Sequence, residues 1–132
     1  MKKFSNAVML LLLIAAIFVF YTEMMPIKIT AGNLAGKYSE NKVEADKTFL
    51  GQELEVTGSV KAYYKVLDIR NVLEFDNENN NINLFCFFLK ESDEYKASQL
   101  NEGDTITVIG NCAGMDKYNF LKGLKIEVKK IK

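Results

Sequence analysis

Tyr63, Tyr64, Lys65 and Arg70 put two flat rings and two cations into one short stretch of the chain. Rings that stack and cations that meet anionic groups are the equipment of a binding face rather than of a reaction. These four are therefore the candidate ligand contacts. Other chemistry is scarce. The chain has no histidine, which closes off serine–histidine–aspartate and cysteine–histidine catalysis and removes the commonest metal ligand. Cys86 and Cys112 cannot alone complete a four-ligand zinc site, and they form no Cys-x-x-Cys pair for redox work. No carboxylate pair or nucleophile stands out. A non-enzyme is expected, with no catalytic residue, metal or cofactor.

The elements that must position those residues fit one domain, since the chain has 132 residues. Acidic and basic residues balance at 17 each, and setting aside Lys2 and Lys3 leaves a slight acidic excess. Nucleic-acid-binding domains ordinarily carry a basic excess, so nucleic acid ranks last among the expected partners.

Lys2 and Lys3 precede an unbroken apolar run over residues 7–21, which Pro26 closes after two further methionines. The run ends in Phe18-Val19-Phe20-Tyr21, without the small residues of a signal-peptidase site. Residues 1–26 are read as an uncleaved signal anchor, a transmembrane helix with the two lysines on the cytoplasmic side. The alternative is a cleaved signal and a secreted product. Residues 27–132 then form a domain outside the cytoplasm, in the periplasm or at the cell surface.

Leu34, Tyr38, Asn41, Ala45 and Phe49 recur at helical spacing and predict one packing helix over 30–49, capped by Thr30. Asn41 is the polar residue of that stripe. It is expected to be buried and bonded to backbone of the neighbouring strands.

Residues 51–60 alternate as a strand, with Leu54, Val56, Gly58 and Val60 on one face. Residues 103–112 repeat the pattern, placing Ile106, Val108, Gly110 and Cys112 at the same offsets. Gly58 and Gly110 thus mark bends in two neighbouring antiparallel strands, in a sheet curved enough to close. A second strand is predicted within 66–75, after a turn or strand end at 61–65. A third lies at 82–89. It is apolar on both faces, so the N-terminal helix is expected to cover the outer one, which carries Phe85, Phe87 and Leu89; an exposed aromatic platform for bases or sugars is the alternative. A short helix follows at 92–101, capped by Ser92, with Tyr95, Ala97 and Leu100 turned inward. The last strand is predicted over 118–128. The fold class is all-β, or β-rich α+β. A five-stranded OB-fold barrel, over about 51–129, is preceded by a packing helix and an anchor helix.

Cys86 and Cys112 fall on interior faces of the third and fourth strands. They serve as small core residues if free. In an oxidising compartment they can instead close a loop of about 26 residues, contributing roughly 3 kcal/mol.

The pattern Tyr38-x2-Asn41-x3-Ala45, Phe49-x-Gly51, Leu54-x-Val56-x-Gly58-x-Val60, Cys86-x-Phe88 and Val108-x-Gly110-x-Cys112-x-Gly114 resembles the tRNA-anti-like family of small bacterial OB-fold proteins. The likeness covers about residues 30–128. It implies an OB barrel akin to anticodon-binding domains, in proteins often exported or held at the membrane. The expected function is a membrane-tethered binding module of the cell envelope, for an oligomeric ligand or an envelope protein. Two alternatives are an assembly protein that uses the barrel for protein contacts and a nucleic-acid-binding domain.

Overall fold

The computed structural model describes residues 5–132, without the side chains of residues 21–24. The elements run α1 (Asn6–Met24), β1 (Ile27–Thr30), α2 (Ala31–Glu40), α3 (Lys42–Phe49), β2 (Glu53–Val66), β3 (Arg70–Phe75), β4 (Leu84–Phe88), α4 (Glu91–Ser98), β5 (Thr105–Gly114) and β6 (Leu124–Ile131). The sheet order is β1-β2-β3-β4-β6-β5, and β2 also pairs with β5. That second pairing closes β2, β3, β4, β6 and β5 into a barrel. β4 and β6 run parallel and its other pairs run antiparallel. This is the OB-fold. β1 lies outside the ring, parallel to β2 through Ile27↔Leu54 to Thr30↔Thr57.

β2 closes the ring because its two halves have different partners. Residues 53–59 pair with β5, and residues 60–66 pair with β3 across a register shift between Val60 and Ala62. The segment 61–65, read from sequence as a turn or strand end, is the continuation of this strand. Gly58 and Gly110 lie in adjacent antiparallel strands, opposite Ile106 and Leu54 respectively. A Cβ at Gly58 would stand 2.6 Å from the Ala31 Cβ and 2.9 Å from the Phe75 ring. At Gly110 it would collide with the Glu127 carbonyl and stand 2.8 Å from the Val128 Cα.

The predicted helix over 30–49 is two helices. Asn41 ends α2 and begins α3 in extended backbone (φ −160°, ψ 102°). It is exposed. Its Oδ1 accepts from the Glu44 N–H at 3.1 Å, and its own N–H donates to the Lys37 carbonyl at 3.1 Å. The expectation of a buried amide bonded to the barrel is corrected. Asparagine satisfies free helix-end donors better than it serves a helix interior, and the chain breaks where it does so. Asn41→Ala should cost about 1 kcal/mol, the loss of one N-cap, and Asn41→Asp should cost little. Chemical denaturation of the two variants measures the difference. Equal midpoints for Asn41→Ala and the parent would contradict the capping role.

The other stripe residues, Leu34, Tyr38, Ala45 and Phe49, are buried. They join Leu54, Val56, Val108, Cys112 and Ile126 in the main core. Tyr38 donates to Asp46 Oδ1 at 2.8 Å, and its hydroxyl stands 3.5 Å from Cys112 Sγ, tying α2, α3 and β5 together. β4 is buried on both faces, but the helices do not cover the outer one. Phe85 and Phe87 pack there with Val72, Tyr118 and Leu121. Residues 118–123, predicted as the start of the last strand, are the loop that supplies this cover. In α4, Ala97 is buried and Tyr95 is 68% exposed, so the inward turn expected of Tyr95 is corrected. Lys90, not Ser92, occupies the cap position.

Cys86 and Cys112 are both free and buried, so the disulfide alternative is corrected. Each stands beside Ile126, one on either side of β6. Two strand spacings of about 4.8 Å exceed the ~7 Å that a disulfide spans between Cα atoms.

α1 exposes apolar side chains from Val8 to Phe20. Among the described residues, no helix is long and apolar enough to cross a membrane. The expected spanning segment is therefore not found. Nineteen residues rise about 28 Å, against a hydrocarbon layer of about 30 Å. Lys2 and Lys3, to which the expected orientation was tied, lie outside the described residues.

Candidate functional site

The outer wall of the barrel beside β3 carries a row set by strand register: Tyr64, Val72, Phe87 and Glu127, one from each of β2, β3, β4 and β6. Side chains in such a row share a face because cross-strand partners point the same way. Phe87 is fully buried in the row. The loop between β5 and β6 brings Tyr118 onto it, with ring centroids 4.7 Å apart and planes tilted by 43°. Arg70, the first residue of β3, lays its guanidinium 5.0 Å from the Phe87 ring centre and 5.9 Å from that of Tyr118. A cation over two ring faces is held by the rings' negative quadrupole.

Two loops frame this centre. Residues 67–69 join β2 to β3 in a tight turn closed by the Ile69 N–H on the Val66 carbonyl at 3.1 Å. Leu67 and Asp68 both adopt left-handed backbone there, at φ 53° and 55°. Tyr118, in the other loop, does so too at φ 53°. Large residues rarely occupy that region, and it costs roughly 1–3 kcal/mol each where structure imposes it. The loops leave Leu67 65%, Ile69 83% and Phe120 50% exposed. Between them lies a groove of about 220 Å³ lined by Val66, Leu67, Ile69, Arg70, Tyr118 and Phe120.

The charges nearby differ in how they are engaged. Lys117 pairs with Glu127 at 2.5 Å, and Tyr118 also donates to Glu127, at 3.3 Å. The bond to that carboxylate raises the Lys117 ammonium above its ordinary range. Lys61 pairs with Glu74 at 3.0 Å. Arg70, by contrast, has no ion-pair partner among the described residues.

The four residues singled out in sequence are divided by β-strand alternation. Arg70 lines the groove. Tyr64 lies on the same outer face and donates to Glu74 Oε1 at 2.9 Å. Burial, then that bond, pushes its hydroxyl up to about 12. Tyr63 turns to the other face, packs against the main core and donates to the Glu94 carbonyl at 3.3 Å. Lys65 shares the register side of Tyr63 and is exposed. Phe87, raised in sequence as part of the alternative exposed platform, is instead buried, and Leu67, Ile69, Tyr118 and Phe120 were not singled out. Leucine and isoleucine flanking Asp68 in a turn, where polar residues are usual, was the available signal.

A larger cleft of about 690 Å³ lies between β1, α2 and the loop 76–83. Its walls are polar and already bonded across the gap, as where Asn80 donates to the Gly32 carbonyl at 3.1 Å. The thiols offer no reactive centre, since burial raises both Cys86 and Cys112 and the thiolate is the nucleophile. Among the described residues, no cluster of three or more acidic or cysteine side chains is placed to hold a metal.

Barrel, framing loops and exposed groove together define an OB-fold binding domain. The tRNA_anti-like family model matches residues 15–125, and the chain belongs to that family. No curated protein matches the sequence. Among solved structures, the chain is similar to a candidate nucleic acid-binding lipoprotein from Klebsiella pneumoniae, at TM-score 0.55 and 15% identity. That match covers 80% of this chain and 92% of the other. An OBody, AM3L09, bound to hen egg-white lysozyme gives TM-score 0.51 and 14% identity, over 64% and 82%. Asparaginyl-tRNA synthetase from Pyrococcus horikoshii, complexed with asparaginyl-adenylate, gives 0.50 and 17%, over 64% of this chain and 19% of the synthetase. At these identities the likeness is one of fold.

Proposed function

We propose that this chain is a binding module of the cell envelope, held at the membrane by α1, whose ligand face is the groove between loops 67–69 and 115–123. The observation that carries the reading is the exposed apolar cluster Leu67, Ile69 and Phe120 around a ring-stacked Arg70 that has no ion-pair partner among the described residues. Exposed apolar side chains gathered about one polar anchor favour a docking site over a solvated surface. OB barrels bind through the same two loops and the adjoining strand face. The tether is supported by the apolar side chains that α1 exposes from Val8 to Phe20, and the envelope location by a structural neighbour that is a lipoprotein.

Nucleic acid is the second reading. It draws on the stacked Phe87 and Tyr118 rings and on the description of the Klebsiella protein. The zero net charge weighs against it.

Fractionation of the native host tests the tether and the location. The full chain is expected in carbonate-washed membranes, with residues 27–132 open to protease added outside the cytoplasmic membrane. A mature protein that begins near residues 22–30 and stays in the soluble fraction would remove the tether. A domain protected from external protease would remove the location.

A further inference from the structure

We infer that the groove between Leu67, Ile69 and Phe120 takes a peptide segment of a protein partner, one large apolar side chain next to a carboxylate, with Arg70 receiving the carboxylate. The inference rests on the ligand face proposed above and adds the class of ligand.

Three features of the groove carry it. First, its exposed walls include two aliphatic residues, Leu67 at 65% and Ile69 at 83% exposure. Aliphatic side chains offer dispersion contact to another apolar side chain but no flat surface on which a base can stack, which leaves Phe120 as the exposed ring among the groove's walls. Second, Arg70 is the one cation among the residues that line the groove, too few to track a phosphate backbone. Lys117 is engaged by Glu127 and Lys61 by Glu74, Lys65 and Lys122 are exposed outside its walls, and Asp68 and Asn119 are exposed beside Leu67 and Phe120. Those two polar residues also oppose insertion of the loop tips into a bilayer. Third, Arg70 has no ion-pair partner among the described residues and is held by Phe87 and Tyr118. A guanidinium fixed against rings keeps its planar donors available, and one carboxylate accepts two of them side by side. The charge complement of the groove is thus a single acid. The left-handed backbone of the exposed Leu67 suits the same role, since strain held at an exposed loop residue points to what it presents.

The test uses the full chain in nanodiscs and four synthetic peptides. These are Gly-Ser-Gly-Phe-Glu-Gly-Ser-Gly and counterparts with Phe-Gln, Phe-Lys and Ala-Glu at the centre. Amide NMR shifts give both the affinity and the face. The Phe-Glu peptide is expected to bind about fivefold to tenfold tighter than Phe-Lys or Ala-Glu, shifting residues 67–70 and 118–120. Arg70→Gln should erase the preference for Glu over Gln while keeping that for Phe over Ala, and Phe120→Asp should erase both. Arg70→Lys, which keeps the charge but not the planar fork, should retain only part of the Glu preference. Native-like spectra of these variants separate lost binding from lost fold.

Equal binding of all four peptides would overturn the inference, as would an unchanged Glu preference in Arg70→Gln. If an oligouridine RNA shifts the same residues and the peptides do not, the ligand face stands and the peptide class falls. Broadening of Ile69 and Phe120 by spin-labelled lipid, without peptide binding, would assign the groove to the bilayer and overturn the inference. If no probe touches these residues, the inference and the ligand face fall together.

Discussion

Gly110→Val is expected to destabilise the domain by about 3 kcal/mol or more, at the upper end of what overpacking costs. The added carbons would meet the Glu127 carbonyl and the Val128 Cα, which are backbone atoms of β6 and cannot rotate away. The same point carries a register shift between Ile109 and Gly110 in the β5–β6 pairing, so yielding there would open the ladder that joins β5 to the ring. A melting midpoint lower by roughly 10–20 °C is the corresponding thermal effect for a domain of about this size. Gly58→Val should cost less, about 1–3 kcal/mol, because its neighbours are the Ala31 and Phe75 side chains. Thr105→Val, at an exposed position of β5, should stay within about 0.5 kcal/mol of the parent. A Gly110→Val protein that melts with the parent would contradict the close approach of β5 and β6.

Phe87→Ala is the second large effect. Phe87 is fully buried and sits in the outer cluster with Val72, Phe85, Tyr118 and Leu121, so truncation should cost about 3–5 kcal/mol. The loss should also unseat what rests on the ring. Arg70 and Tyr118 each contact it, and the loop carrying Tyr118 has that ring pair as a main attachment to β4. Ring-current shifts of the Arg70 side chain, expected in the parent, should vanish in Phe87→Ala. Phe87→Leu should recover much of the stability but not those shifts. Retention of the shifted Arg70 resonances in Phe87→Ala would show that the ring does not hold the guanidinium.

The barrel was legible because its central strands are half-buried. Leu54, Val56, Ile106 and Val108 alternate with Glu55, Thr57, Thr105 and Thr107, and a matched glycine in each strand flagged the closing pair. Other parts were hidden for identifiable reasons. β1 has four residues and exists through its pairing with β2, so no local pattern announces it. Asn41 falls at helical spacing, yet its side chain caps, and periodicity cannot tell a stripe residue from a break. Tyr118, Phe120 and Leu121 look like strand residues because they are apolar, but Tyr118 and Leu121 serve a second cluster outside the barrel and Phe120 lines the groove. Of the residues that line the candidate groove, Arg70 is the one the sequence brought forward. Tyr63 and Tyr64 could not be told apart without the phase of β2. Phe87 and Tyr118 join Arg70 only through the β3–β4–β6 register and the loop between β5 and β6, which long-range pairing sets.

The central claim is that the loops at 67–69 and 115–123 are the surface this domain uses. Site-specific photocrosslinking in the native host tests it most directly. Benzoylphenylalanine placed at Phe120, half exposed at the groove, should yield a discrete heavier adduct on illumination. The same group at Thr48, exposed on α3, should yield none. Adducts of equal yield at both positions, or an adduct at 48 and none at 120, would contradict the account.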